Sequence, residues 1–439
     1  MTGSDLFGTT FACPCGRTHT IQPREVFYAP EAVRRMPDVC RRALAAPPPE
    51  SPRAAVLMDP RTRAAAGADV AAALERARWQ VRTVVIGETG DRDVVCDDRT
   101  RANLDALVKE ADLLVSVGSG VITDLAKWIA FDRRTPHVAF ATAASMNGYT
   151  SANVAPTLAG VKSLVRARPP VAVVAGPDVL AAAPYELTAA GFGDLLAKTT
   201  SGADWRLNHL LFADYFCERS VGLIARIEPL YLDRPEAVRA REPAALAAVY
   251  QALLLTGVAM TMAESSAPAS GAEHLVSHTL DMTAPLHGLA HDLHGRQVGV
   301  GTILAADLYR RVLAVESPVP ALPAADVDRA YWGPLAPAVA AEFGAKHERL
   351  AAARDAIPTL WDTLRETLAP LVRPPEAVRN ALHRAGAACR AEHIGCTPDR
   401  LRDALLHAHQ MRSRFTVLDL AHLVGVLPGA AGEIAGACA

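Results

Sequence analysis

The segment DLLVSVGSGVITDLAKWIAF, residues 112–131, passes from an apolar run through Gly-Ser-Gly into a helical pattern. The run DLLVSVG has the continuous apolar character of a buried parallel strand. VITDLAKWIAF has the apolar spacing of an amphipathic helix. Gly118 and Gly120 permit a tight turn and a close approach of a ligand to the backbone. The amides that open the helix would then present their N–H groups to an anion such as a pyrophosphate.

The same order of strand and helix continues on both sides of this segment. AAVLMD at 54–59, VRTVVIG at 81–87 and HVAFATA at 137–143 are predicted to be buried strands, separated by amphipathic helical patterns. This alternation is typical of a parallel sheet with helices on its faces and right-handed crossovers.

The strand pattern stops after VAVVAGPDVLAAAP at 171–184, and the remaining chain is rich in Ala and Leu at helical spacing. A Pro-rich connector, ESPVPALPAAD at 316–326, interrupts it. We therefore predict an α/β amino-terminal domain with a parallel sheet over residues 1–180. An all-helical carboxyl-terminal domain is expected over residues 181–439.

Composition narrows the class of function. The 439 residues are 50% hydrophobic with a net charge of −2, which allows a large core and argues against a nucleic-acid partner. The amino terminus lacks a signal-peptide pattern, and the apolar runs fall short of about 18 residues, so no membrane segment is expected. The eight scattered cysteines suit a reducing compartment. We expect a cytoplasmic protein that binds a small molecule and forms a homodimer.

Two segments are candidates for a nucleotide site. The Gly-Ser-Gly turn lacks the full dinucleotide fingerprint because Thr123 takes the place of its third glycine, so a tight turn without a ligand explains it equally well. FATAASMNGYTSANVAP at 140–156 follows a predicted strand, where α/β sheets bind ligands, although an ordinary loop has similar composition. Its polar candidates are Thr142, Ser145, Asn147 and Ser151.

Residues 270–302 hold a dense group of histidines, which are His274, His278, His287, His291 and His294. The first two share a helix face, and the last three follow at spacings of four and three residues. Such clustering favours a metal site over isolated structural imidazoles, but the spacing does not select the ligands. Asp194 offers a carboxylate for this site, although the local pattern by itself favours an interaction of this carboxylate with a helix dipole.

A second group of metal-ligand residue types lies in CPCGRTH, which contains Cys13, Cys15 and His19. The spacing differs from the paired C-x-x-C pattern of common zinc sites, and no second pair completes four ligands. We therefore expect an ordered amino-terminal turn here in preference to a metal site.

Taken together, four segments resemble the glycerol-1-phosphate dehydrogenase family, in particular its bacterial AraM-type branch. This family lies within the superfamily of iron-containing alcohol dehydrogenases and dehydroquinate synthases. The segments are VGSGVITDLAKW, TAASMNGYTS, GFGDLLAKTTSGADW, and SGAEHLVSH with the later LHGRQVGVGT. RSRFTVLDLAHLVGVL at 412–427 also resembles that branch, so the likeness spans nearly the whole chain.

The resemblance implies NAD(H) or NADP(H) bound to the Rossmann-like domain and one divalent metal (Zn, Ni or Fe) in the helical domain. The substrate is implied to be a small phosphorylated ketone or polyol, held in the cleft between them. The family's metal ligands fall on Asp194, His274 and His294. Its substrate contacts fall on Asn147 and His278. Its nucleotide contacts fall on Gly118, Ser119, Gly120, Val121, Ile122, Thr142, Ser145 and Ser151.

Several positions depart from the family pattern. Asn147 stands where many members have an aspartate, and an amide cannot accept a proton as a carboxylate can. Arg296 replaces a usual glutamate, and Ser266 and Ala267 replace a frequent Arg-Pro pair.

Asp59 bears on the choice of cofactor. It ends the first predicted strand, where a carboxylate can bind a ribose hydroxyl, which favours NAD. The neighbouring Arg61 and Arg63 weaken that preference.

The leading hypothesis is therefore an NAD(P)- and metal-dependent oxidoreductase that interconverts dihydroxyacetone phosphate and sn-glycerol 1-phosphate or a related compound. A superfamily member that acts on another polyol, or by transient oxidation and elimination, is one alternative. A nucleotide-binding protein without turnover is another, and the departures at Asn147 and Arg296 keep it open.

Overall fold

The computed structural model describes residues 6–45, 50–87, 94–158 and 161–438. The chain forms two compact units. The first unit is Met1–Gly191 with Gly222–Ser265, and the second is Phe192–Val221 with Ser266–Ala439.

The strands of the described residues all lie in the first unit. They are β1 Thr10–Ala12, β2 Thr18–Thr20, β3 Glu25–Tyr28, β4 Arg53–Met58, β5 Gln80–Val85, β6 Leu113–Gly118, β7 His137–Ala141, β8 Asn153–Val154, β9 Thr157–Leu158, β10 Val161–Lys162, β11 Val165–Arg166 and β12 Ala172–Ala175.

Helices occur in both units. They are α1 Ala32–Ala43, α2 Pro60–Thr62, α3 Ala68–Arg76, α4 Asp98–Leu107, α5 Gly120–Arg133, α6 Pro177–Ala182, α7 Tyr185–Leu196, α8 Lys198–Phe212, α9 Glu218–Val221, α10 Pro229–Leu232, α11 Pro235–Arg239, α12 Pro243–Ala263, α13 Ala272–Thr283, α14 His294–Leu313, α15 Arg329–Trp332, α16 Ala336–Gly344, α17 His347–Leu368, α18 Pro375–Arg384, α19 Pro398–His407, α20 Val417–Leu423 and α21 Ala431–Gly436. Short 3₁₀ turns lie at Gly148–Thr150, Gly222–Ile224, Pro285–His287, Gly333–Leu335, Ala369–Leu371, Glu392–Ile394 and Ala408–Gln410, and a π-helical turn at Arg63–Gly67.

A six-stranded parallel sheet in the order β3-β12-β7-β6-β4-β5 forms the centre of the first unit. Alternate residues of its strands enter separate apolar clusters, as period-two side-chain directions require. Val56 and Met58 pack with α1 and α3, whereas Ala55 and Leu57 pack with α4 and α5. The predicted α/β Rossmann-like unit with a parallel sheet is confirmed.

Two features of the first unit differ from the expectations. The edge strand β3 was not predicted, because it has only four half-buried residues and its apolar run is short. Helix α12 is long and apolar enough by composition to cross a membrane, whereas no such segment was expected. The most apolar 18-residue stretch of this helix is 89% buried, and the helix contacts the Gly148–Thr150 turn, as a core helix does.

Among its described residues, the second unit contains helices and connecting segments and no strand, as predicted. Helix α13 packs against α14, and both contact α8. Asp204 of α8 links three further segments, because it accepts hydrogen bonds from the Tyr309 hydroxyl at 2.6 Å and from the Ala272 and Val417 amides at 2.8 Å. Burial and the nearby Glu273 carboxylate raise the pKa of Asp204 to about 7.

The grouping of helices differs from the predicted division at residue 180. Residues 181–191 and 222–265 belong to the first unit, although their composition is helical. Helical periodicity shows which face of a helix is buried and does not show which neighbour covers it. As a statement about independent domains, the division into 1–180 and 181–439 stays a prediction.

Candidate functional site

The turn between β6 and α5 is built for close approach to its backbone. A Cβ atom at Gly118 would lie 2.7 Å from the Ile122 Cβ, so only glycine fits there. Within the described residues, Ser119 supplies no side-chain cap to the helix. The first-turn amides of α5 therefore remain available to an anion. Val121 is exposed, whereas Ile122 is buried in the apolar cluster beneath the turn.

The carboxyl ends of three neighbouring strands gather the predicted nucleotide-binding residues at one edge of the sheet. Gly118 ends β6, and its carbonyl accepts a hydrogen bond from the amide of Thr142, which follows β7, at 3.1 Å. Asp59 follows β4 and caps α2, with its Oδ1 accepting from the Thr62 amide at 2.7 Å. That cap fixes the direction of the Asp59 carboxylate at the edge.

A buried lysine that the sequence analysis missed organises the loop after β7. Lys127 of α5 is fully buried and donates to the carbonyl oxygens of Gly148 and Asn153, both at 2.7 Å. It also donates to the Ser151 hydroxyl at 3.1 Å and pairs with Asp124 at 3.0 Å. The Ser151 hydroxyl therefore has a role within the loop, and its contact with a nucleotide stays a prediction. The available signal was the charged pair Asp124 and Lys127, three residues apart in the largely apolar helix α5.

Helix α12 supports the same loop from below. The Thr150 hydroxyl donates to the Leu254 carbonyl at 2.5 Å. A Cβ atom at Gly257 would lie 2.1 Å from the Thr150 Oγ1 and 2.5 Å from the Asn147 carbonyl oxygen. This close packing fixes the backbone on either side of Asn147. Ser145 is buried nearby, and Asn147 is partly exposed.

The second unit brings together the three predicted metal ligands. Asp194 of α7, His274 of α13 and His294 of α14 each offer an atom within 4.8 Å of the others. Asp194 and His274 are buried, and the His274 Nε2 lies 3.5 Å from the Asp194 Oδ1. Three separate helices therefore converge on one point.

Glu273, which the sequence analysis did not identify as a functional residue, holds one of these imidazoles. Its Oε1 lies 2.8 Å from the His274 Nδ1 and accepts from the Gly271 amide at 2.6 Å, and its Oε2 accepts from the Thr200 hydroxyl at 2.6 Å. This arrangement directs the His274 Nε2 toward Asp194. Burial lowers the pKa of His274, but the Asp194 and Glu273 carboxylates outweigh it and raise the pKa to about 9.

A polar side chain, that of Ser277, lies close to the His294 ring. The Ser277 hydroxyl lies 3.4 Å from the His294 Nδ1 and donates to the Gln297 side-chain oxygen at 3.0 Å.

Glycines allow the metal-site helices to approach closely. A Cβ atom at Gly193, next to Asp194, would lie 2.2 Å from the Gly295 carbonyl oxygen. One at Gly301 would lie 2.6 Å from the Glu273 carbonyl oxygen. Larger residues would separate the helices and with them the three ligands.

The remaining histidines of the segment divide into two groups. His278 is buried, and its ring centroid lies 5.4 Å from that of His294 and 6.0 Å from that of His274. His287 and His291 are exposed, and the His291 Nδ1 lies 3.5 Å from the Asp281 Oδ1.

Arg296 is positively charged and does not suit the role of a metal ligand, and its side chain is engaged with other partners. Its guanidinium pairs with Asp292 at 3.0 Å and donates to the His393 carbonyl.

The donor set fits a divalent ion. Two imidazole nitrogens and one carboxylate oxygen leave an open coordination position, as catalytic metal sites require. The negative charge of Asp194 and Glu273 favours a proton on His274. The same negative charge favours a metal cation that takes the place of that proton. The same donor set accepts zinc, nickel or iron.

Comparisons with known proteins find related dehydrogenases. Residues 27–184 match the family described as iron-containing alcohol dehydrogenase. The glycerol-1-phosphate dehydrogenase [NAD(P)+] of Bacillus licheniformis is 30% identical over 97% of this chain and 95% of its own length. The enzyme of the same name from Thermococcus kodakarensis is 31% identical over 92% of this chain and 93% of its own.

A solved structure shares the fold. A probable glycerol dehydrogenase from Sinorhizobium meliloti superposes with a TM-score of 0.61 at 19% identity, covering 94% of this chain and 98% of that one. The resemblance inferred from the sequence motifs is thus confirmed. The chain belongs to the glycerol-1-phosphate dehydrogenase family, within the iron-containing alcohol dehydrogenase superfamily.

Proposed function

We propose that this protein is an NAD(P)-dependent, metal-dependent oxidoreductase that interconverts dihydroxyacetone phosphate and sn-glycerol 1-phosphate. The observation that carries the proposal is the convergence of Asp194, His274 and His294 within 4.8 Å. The names of its relatives, glycerol-1-phosphate dehydrogenase [NAD(P)+], support the substrate and the cofactor.

The three ligands would hold a divalent ion, whose chemistry when bound is to polarise the substrate oxygen while hydride passes to or from the nicotinamide. Glu273 keeps the His274 ring in the orientation that presents Nε2. His278 is the residue that we assign to proton transfer or to a hydrogen bond with the substrate hydroxyl, because it is buried beside His274 and His294.

In the first unit, the nucleotide would lie along the carboxyl edge of β4, β6 and β7. The backbone amides from Gly118 to Ile122, at the turn from β6 into α5, would bind its pyrophosphate, and Thr142 and Ser145 would contact the nicotinamide half. Asp59 would accept a hydrogen bond from a ribose hydroxyl, which favours NADH. The Arg61 Nε lies 3.9 Å from the Asp59 Oδ2. Because of this nearby positive charge, NADPH is a competing expectation for the cofactor.

Asn147 favours a second candidate substrate class, a related phosphorylated polyol. An amide orients a hydroxyl but adds no negative charge and takes no proton. Substrate preference would therefore differ from that of relatives with aspartate at this position. A cytoplasmic location and a homodimeric state stay predictions.

Metal analysis tests the ligand assignment. Elemental analysis of the purified protein should show that His274→Ala and His294→Ala each lose about one ion per chain. His287→Ala, an exposed histidine of the same segment, is the matched control and should lose none. Unchanged metal content in the His274 variant would refute the assignment.

Turnover tests the function itself. Oxidation of NADH and of NADPH is followed with dihydroxyacetone phosphate after metal loading, and activity with at least one cofactor is expected. His278→Ala should lower kcat about 100-fold or more, a usual loss for acid-base help. Asn147→Asp should change substrate preference without changing metal content. Binding of NADH without turnover on any phosphorylated ketone would replace this proposal with a non-catalytic nucleotide-binding role.

A further inference from the structure

We propose that Cys13, Cys15 and His19 bind a structural zinc ion in the amino-terminal hairpin of β1 and β2. This site is separate from the dehydrogenase site and uses none of its residues. The sequence pattern favoured an ordered turn alone. The structure contains that turn and brings the three potential ligands together.

The turn explains how residues at an unusual spacing become neighbours. Strands β1 and β2 pair antiparallel, with Phe11 opposite His19. The Cys13 amide donates to the Arg17 carbonyl at 2.9 Å, and the Gly16 amide donates to the Cys13 carbonyl at 3.0 Å. Gly16 has a φ of +86°, a left-handed conformation that favours glycine. The chain therefore reverses within Cys-Pro-Cys-Gly, which carries both thiols to the end of the hairpin where His19 lies.

The donor atoms have the separations and chemistry that zinc requires. One atom from each of the three residues lies within 4.8 Å of the others, and the Cys15 Sγ lies 3.3 Å from the His19 Nε2. Tetrahedral zinc with ordinary Zn–S and Zn–N bonds holds its ligands about 3.5–3.8 Å apart. Thiolates and imidazole are ligands that zinc prefers over magnesium or calcium. Binding would deprotonate both thiols and release two protons, and a further donor or water would fill the fourth position.

Burial and size indicate a structural role. Cys13 is 9% exposed and His19 is 5% exposed, so a zinc ion here would be largely shielded from solvent. Strands β1 and β2 have three residues each, and isolated hairpins of this size are marginal in water. None of the eight cysteines, all within the described residues, forms a disulfide. A metal ion would therefore provide the cross-link that the hairpin otherwise lacks.

Cobalt substitution tests the proposal on the full-length protein. Co²⁺ bound by thiolates gives an intense sulfur-to-metal charge-transfer band in the near ultraviolet, whereas the Asp194 site contains no sulfur. We expect this band in the unaltered protein and in His274→Ala, and its loss in the double variant Cys13→Ser/Cys15→Ser. Cys40→Ala removes a buried thiol elsewhere in the unit and should keep the band.

Zinc content provides the second measurement. The double cysteine variant should lose about one zinc ion per chain, in addition to the ion lost in His274→Ala. Absence of the charge-transfer band from unaltered protein saturated with Co²⁺ would overturn the proposal, and so would a double variant that keeps it. Because the first of these results uses the unaltered protein, it decides the question even if the double variant does not fold.

Discussion

Replacement of Lys127 by methionine should destabilise the first unit and weaken nucleotide binding together. The methionine side chain fills similar space but leaves the carbonyl oxygens of Gly148 and Asn153, each 2.7 Å from Nζ, without this charged donor. It also removes the ion-pair partner of the Asp124 carboxylate, 3.0 Å away, and leaves that carboxylate with the Ala155 amide at 3.3 Å.

The size of the expected loss of stability follows from the burial of Lys127. Lys127 is fully buried, and loss of one member of a buried pair costs about 3–5 kcal/mol because the remaining groups stay desolvated. The Asp124 side chain is 18% exposed, so water reaches it and places the loss near the lower end of that range. The loop that Lys127 holds carries Thr142 through Ser151, so NADH affinity should fall about tenfold, or about 1.4 kcal/mol.

Urea unfolding followed by circular dichroism measures the stability, and quenching of protein fluorescence measures the NADH Kd. Lys109→Met, an exposed lysine of the same unit, is the matched control and should change stability by less than about 0.5 kcal/mol. Asp124→Asn should cost less than Lys127→Met, because it keeps the hydrogen bonds of Lys127 to the loop carbonyls. A Lys127→Met protein with unchanged unfolding midpoint and unchanged NADH Kd would refute the reasoning.

Three further predictions concern the second unit. Glu273→Gln should weaken metal binding about 10–100-fold, measured by chelator competition, because the carboxylate that orients His274 becomes neutral. Gly193→Ala should lower both unfolding stability, by about 1–3 kcal/mol, and metal content, because its Cβ would lie 2.2 Å from a backbone oxygen. Lys346 holds the pKa of Asp419 below its ordinary value despite burial, so the stability from this pair is present above about pH 4 and is lost as pH falls further. Asp419→Asn should therefore lower stability at pH 7 and flatten its acid dependence.

Each of these three predictions has a result that would contradict it. Equal metal affinity in Glu273→Gln and the unaltered protein would show that the carboxylate does not orient the ligand. Full metal content in Gly193→Ala would show that the helices do not need this close approach. An Asp419→Asn variant that retains the full acid sensitivity of the unaltered protein would assign that sensitivity to other carboxylates.

Much of the fold was predictable from local pattern. The run from Asp112 through Gly118 into the following helix predicted a strand, a tight turn and a helix, and the structure has β6 at Leu113–Gly118 and α5 at Gly120–Arg133. Buried parallel strands are apolar on both faces, so their runs are continuous and easily recognised. The half-buried strand β3 has only a short apolar run within four residues, and it was not predicted.

The helical segments show where sequence patterns reach their limit. The composition of α12 indicates a buried helix, but only the tertiary structure assigns it to the first unit, beneath the loop around Asn147. Apolar spacing reports that a face is covered and carries no information about the element that covers it.

The candidate site shows the same limit, because local pattern identified some of its residues and only the packing decided which of them meet. The sequence by itself determined that residues 270–302 are rich in imidazole, and family resemblance selected His274 and His294 with Asp194. Only the tertiary structure decided that their ligand atoms meet and that Glu273 orients one of them. It also decided that Lys127, which pairs with Asp124 on the same helix, is a buried donor to the loop after β7. Helical spacing fixes neighbours within one helix, whereas the three-ligand cluster and the Lys127 contacts join separate segments of the chain, and their geometry is set by how the elements pack.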